Sequence, residues 1–129
     1  MSPKLLAVLS AGVGLLSLSI PSYSHHATAV LYDLTQEITL SGRVTDFRFV
    51  NPHVLIYLDV QGEDGKVVSW MAAMSNLISL RSEGWSKETL EAGDEISVTG
   101  APARRGASSV WVQQVILNGE PLLRGERTG

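Results

Sequence analysis

The sequence predicts a mainly β protein: a five-stranded barrel in the order β-β-β-α-β-β, with one short helix between strands three and four. Three observations predict it. Apolar and polar residues alternate in separate runs along the chain, the pattern of strands with one buried face. The period changes once, after residue 73, where short capped helical segments fit. The first run carries both a glycine, Gly42, and a shift of parity, the devices that bend a strand around a closed sheet.

The elements follow in order. Residues 25–36 form a lead-in of weak period. Glu37 to Val50 reads as a long first strand, in which Ile38, Leu40, Gly42 and Val44 alternate with Thr39, Ser41, Arg43 and Thr45. The parity then moves to Phe47 and Phe49, which predicts a bulge. Asn51-Pro52 is a turn signal. His53 to Val60 is a second strand, with Val54, Ile56, Leu58 and Val60 on one face. Gly62-Glu63-Asp64-Gly65 is a hairpin turn, and Lys66 to Ala73 is a third strand carrying Trp70. Ser75 is placed to cap a short helix holding Leu77, Ile78 and Leu80, with Gly84 just past its end. Ser86 is placed to cap a second helical turn over 87–92, stapled by Trp85 and Leu90. Glu95 to Gly100 and Ser109 to Leu117 complete the strands, separated by a loop of small residues with Arg104 and Arg105. This order is that of an OB-fold barrel, and closure would hide the strand edges of a short chain. The competing arrangement is an open five-stranded sheet with the helix on one face.

Composition bounds the function. At 129 residues the chain is one domain in size. The absence of cysteine excludes a disulfide framework, a thiolate metal site and a cysteine nucleophile. A net charge of −3 argues against binding a phosphate backbone. The mean hydropathy of +0.13 owes much to the first twenty residues. There a short polar start with Lys4 precedes an uncharged run from Leu5 to Ile20, then Pro21 and small residues at Ser22 and Ser24. That is the layout of a secretory signal peptide over 1–24, with a single barrel domain over 25–129 and a periplasmic location. The run is shorter than the ~20 residues that span a bilayer, so no stable membrane anchor is expected after cleavage. A second small-x-small triplet, Ala27-Thr28-Ala29, offers a later cut that would discard both His25 and His26.

Several motifs stand in order: His25-His26, Tyr32-Asp33, Leu40-Ser41-Gly42-Arg43-Val44, Asn51-Pro52-His53, Trp70, Gly84-Trp85 and Gly93-Asp94. The set resembles a family of small secreted bacterial proteins known only as a domain of unknown function. The resemblance spans nearly all of 25–129. It implies an exported, compact, β-rich domain and no established activity. It also implies an acidic residue near Met71-Ala72-Ala73, which this chain lacks. More distantly the layout is similar to periplasmic OB-fold proteins that bind small ligands or partners.

Two sites are expected. The first is a metal site, with copper preferred. If His25 is the mature N-terminus, its amine and imidazole together with His53 give a nitrogen set suited to Cu(II), with His26 a further ligand. This resembles the histidine brace of some secreted copper proteins. Reach opposes it: the first strand spans about 45 Å, and a fully extended lead-in covers about 40 Å. His53 has the plainer alternative of donating to a carbonyl in its own turn. The second is the usual OB-fold ligand surface, formed by strands two and three and the adjoining loops. There Asn51, Tyr57 and Trp70 offer a face, and Arg104 and Arg105 suit a small anionic ligand or a protein partner. Nucleic acid is not expected as a partner, on the acidic balance and the few aromatics. Catalysis is not expected either, because no nucleophile elbow, phosphate-cradling loop or carboxylate pair stands out.

Overall fold

The long first strand organises the sheet. In the computed structural model, which describes residues 23–122, β1 (Ile38–Arg48) pairs along its second half with β2 (Leu55–Gln61) and along its first half with β4 (Glu95–Pro102). One strand can serve two neighbours this way because it coils. The register shifts between Val44 and Asp46, which is the bulge that the parity change predicts. Gly42 lies against the backbone of Asp59, and a Cβ there would overlap the Asp59 carbonyl oxygen. The strand is therefore bent where a side chain has no room.

β2 hairpins onto β3 (Val67–Ala73), and β4 onto β5 (Ser109–Leu117), with a two-residue β6 (Glu120–Pro121) following. The strand order is β3-β2-β1-β4-β5-β6, and a short parallel pairing of β3 with β5 joins Met71–Ala73 to Ser109–Trp111. That pairing closes the sheet into the five-stranded OB-like barrel. β5 bends at a second shift between Thr99 and Gly100, where a Cβ on Gly100 would overlap the Trp111 carbonyl oxygen.

The interior is aliphatic: Val44, Val54, Ile56, Leu58, Val98, Val110 and Val115 are essentially inaccessible. Burying each side chain of this kind stabilises the fold by about 1.5–3 kcal/mol relative to exposure. α2 (Leu77–Ser82) lies between β3 and β4 as expected and contributes Leu80 to this core. Its cap is Asn76 rather than Ser75, the Asn76 Oδ1 accepting from the Ser79 amide at 2.9 Å. Residues 87–92 make isolated turns instead of a helix. Trp85 and Leu90 are nonetheless buried in the core, and the Trp85 indole donates to the Leu122 carbonyl.

The larger departure is the lead-in. It contains a helix, α1 (Tyr23–Leu31), followed by a bridge from Tyr32 to Ala103. Most of the expected signal peptide, residues 1–22, lies outside the described residues, as does the tail from Leu123. Among the described residues no helix is long and apolar enough to cross a membrane.

Candidate functional site

The site is built on the outside of the barrel, where β3 meets β5. In the β2–β3 register Leu58 faces Trp70, while Tyr57 faces Met71 and Leu55 faces Ala73. Directly opposed residues share a face of the sheet. The first pair is part of the interior, and the other two lie on the outer face. The parallel pairing adds Ser109 and Trp111 to that outer face. Tyr32 from the lead-in covers it, packing with Ala73, Ala101, Ala103, Leu55 and Trp111 in a small second core. The Tyr32 ring tilts against Trp111 at 6.0 Å, and its hydroxyl bonds the Ser109 hydroxyl at 2.8 Å in a buried contact.

The β4–β5 loop fastens α1 to this face. The Arg104 Nε donates to the Ala29 carbonyl at 2.7 Å, and the Arg104 amide donates to the Leu31 carbonyl. A cation at carbonyls that a helix end leaves free is a favourable cap. Asp33 continues the clasp: it accepts from the Thr35 amide and hydroxyl and from Gln36, and lies 4.0 Å from Arg104. The Thr35 hydrogen bonds, chiefly, hold the Asp33 carboxyl below its ordinary pKa, with smaller help from Gln36 and Arg104.

Beside α1 opens a cleft of about 870 Å³. One wall is the Asn51-Pro52-His53 turn, whose Asn51–Pro52 bond is cis. The opposite wall is the start of α2, with Asn76, Ile78 and Ser79, and Trp111 and Thr28 complete it. His53 is held on two sides. Its ring stands edge-on to Trp111 at 5.5 Å, and its Nδ1 lies 3.1 Å from the Met74 carbonyl oxygen. A carbonyl only accepts, so Nδ1 is the donor of this bond. Nε2 has no partner among the described residues. Ile78 is 72% exposed; with Pro52 and Trp111 it supplies the apolar part of a lining that is otherwise polar, from Thr28, Asn51, His53, Ser75, Asn76 and Ser79.

The expected site residues are thus redistributed. His53 stands in the cleft, bonded to Met74 rather than to its own turn. Asn51 is occupied structurally, its Oδ1 accepting from the Leu77 amide at 3.1 Å. Tyr57 and Trp70 do not form one face: Trp70 packs on the interior core, and Tyr57 lies outside beneath the Arg48 guanidinium, 5.1 Å from its ring. A hydrogen bond and the charge of Asp46 raise the pKa of that guanidinium further. Arg104 is committed to α1 and is not a free anion contact. Arg105 is exposed and without a side-chain partner among the described residues. His25 and His26 belong to α1, but their side chains lie outside what the structure describes. Among the described residues no three His, Asp or Glu side chains gather as a metal site. The helical lead-in does alter the reach argument, since Thr28 lines the same cleft as His53.

Sequence reasoning missed Trp111, Asn76 and Thr28. Trp111 had a signal: it sits between Val110 and Val112, an aromatic on the outward parity of a strand whose valines point inward.

No curated protein matches the chain in sequence. Among solved structures, the crystal structure of the mitochondrial single-stranded DNA-binding protein of S. cerevisiae is similar, with a TM-score of 0.50 and 13% identity, covering 64% of this chain and 92% of that one. A small single-stranded DNA-binding protein from Streptomyces coelicolor has a TM-score of 0.47 and 19% identity, covering 64% of this chain and 91% of that one. The first likeness agrees with the barrel described above. It also corrects the expectation that nucleic acid is excluded as a partner. That expectation rested on a charge averaged over the whole chain, whereas the similar yeast structure is a DNA-binding protein built on this fold. Residues 11–111 match the model of DUF6152, a family of unknown function, and the chain belongs to that family.

Proposed function

We propose that the chain is a binding module that receives a small ligand in the cleft between the Asn51-Pro52-His53 turn, α2 and α1. One observation carries this reading: His53 is oriented by Met74 and Trp111 while its Nε2, at the cleft, has no partner among the described residues. A volume near 870 Å³ suits a small molecule. The ligand class is a compact molecule with one hydrogen-bond donor for Nε2 and an apolar body for Trp111 and Ile78.

A fragment screen by NMR tests it. Bound fragments should shift the Trp111 indole and His53 ring signals, and His53→Ala should remove those shifts while the melting temperature is retained. A dT oligonucleotide is the second titrant. If it shifts residues along β2 and β3 with an affinity that falls steeply in salt, the ligand is single-stranded nucleic acid. The reading fails if neither titrant moves the cleft signals.

A second reading has its own support. Metal-bound histidines commonly donate their other ring N–H to a backbone carbonyl, as His53 does to Met74. Thr28 of α1 lines the same cleft, three positions after His25 in the sequence. The proposed site is Cu(II) held by His53 with His25 and His26. It presumes export and cleavage after Ser24. A later cut, after Ala29, would remove the carbonyl that Arg104 holds. N-terminal sequencing of the cell-derived protein should begin at His25, and His53→Ala should weaken Cu(II) binding at least about tenfold. A first residue of Val30 ends this reading and leaves the small-ligand reading standing.

A further inference from the structure

A separate groove of about 430 Å³, at the end of α1, shares no lining residue with that cleft. Its walls are apolar. Val30 and Leu31 are 70% and 62% exposed beside it, unusual for large aliphatic side chains at a helix end packed on a barrel. Met71 lines it as well, and Ala103 and Ala107 contribute only small side chains to the lining. At its mouth stands Arg105, whose guanidinium has no partner among the described residues, whereas adjacent Arg104 is fully engaged.

The other polar side chains of the groove are engaged. The Tyr32 and Ser109 hydroxyls bond each other. The Ala103 amide donates to Ser109, the Ser109 amide to Ala107 and the Met71 amide to Ser108. A peptide laid here would find no side-chain partner for its amides except Arg105, and an unmatched amide is costly on desolvation. An unbranched alkyl chain has none to satisfy. Its anionic end would meet the Arg105 guanidinium at the groove.

We infer that this groove binds an amphiphile with a single alkyl chain and a carboxylate head, the chain lying on Val30, Leu31 and Met71 and the head on Arg105. The site is distinct from the His53 cleft and does not depend on it. Fatty-acid-like ligands of medium length match its size better than phospholipids, since the volume is near the lower end for ligand sites.

Calorimetric titration of the full chain tests this, with decanoate, decanol and decyltrimethylammonium as probes, each below its micellar concentration. Decanoate should bind tightest and the cation weakest. Arg105→Gln should weaken decanoate about tenfold and leave decanol unchanged. Ala107→Trp, at an exposed position, should fill the groove and abolish both, with an unaltered circular dichroism melt. His53→Ala should change none of these affinities. The inference is overturned if decanoate does not bind, if it binds no tighter than decyltrimethylammonium, if Arg105→Gln leaves its affinity unchanged, or if His53→Ala removes it.

Discussion

Two outer faces of the barrel differ in how completely their polar groups are matched. On the β1–β4 face, Thr39 bonds Thr99, Ser41 bonds Ser97, and Arg43 pairs with Glu95, each pair directly opposed in the ladder. Next to it, Ser69 donates to Asp59 on β3 and β2. Every one of those side chains finds its partner across a strand boundary. On the face where β3 meets β5, apolar side chains dominate, and His53 Nε2 and the Arg105 guanidinium have no counterpart among the described residues. The first face is finished by the fold itself. The second needs something added, and it already carries one addition, α1. A binding surface is therefore better sought where the fold leaves groups unmatched than where polar residues are most abundant.

Three substitutions or conditions probe that contrast, from the largest effect to the smallest. Gly42→Ala places a Cβ against the Asp59 carbonyl and should uncoil β1 beneath the matched face. The expected loss is about 2–3 kcal/mol by chemical denaturation. A loss under 0.5 kcal/mol would mean that β1 has slack, and that the hydroxyl ladder does not depend on its coil. Arg104→Ala acts on the other face. It removes the hydrogen bond to Ala29, worth about 1 kcal/mol at this exposed position, and should raise amide exchange at Tyr32 and Asp33 several-fold while β1 and β4 amides hold. Uniform acceleration across the barrel would show that α1 is integral to the core. Acid is the mildest probe. The Asp33 pKa is lowered in the folded state by its Thr35 hydrogen bonds, so its contribution is present above the ordinary carboxylate value of 3.8 and is lost as pH falls through the lower folded value. Below pH 3.8 the Thr35 amide should exchange faster than neighbouring turn amides, and Asp33→Asn should remove the pH dependence. A Thr35 amide indifferent to pH would deny Asp33 any part in the clasp.

What was legible in the sequence follows from which forces act within a strand and which act between strands. Alternation in residues 38–60 marked β1 and β2 because each has one face against the core. The parity break at Thr45 marked the bulge for the same reason. β3 is apolar on both parities, Val67 to Ala73, so its pattern was silent on which side faces in. The register against β2 decides it, and that register turned Trp70 inward and left Tyr57 out. α1 carries little helical signature because most of its hold is tertiary: the Arg104 cap, and Tyr32 seated just beyond its end. The cap at Asn76 and not Ser75 is a choice between two competent residues one position apart. His53 stood out in the sequence as one of three histidines and as part of a turn. Its orientation depends on Met74 and Trp111, residues 21 and 58 positions away, which no local pattern connects.

The parallel pairing of β3 with β5 also has a kinetic side. β1 meets β4 across 60 residues of chain, and the closing pair joins the third strand to the last long one. Loop-closure entropy must be met before either pairing returns free energy. Folding should therefore run in milliseconds to seconds rather than microseconds. Until Ser109–Trp111 is in place the sheet keeps two open edges, including the uncharged stretch from Val67 to Ala73. A chain cut short before Ser109 would hold those edges open, which makes aggregation its expected fate.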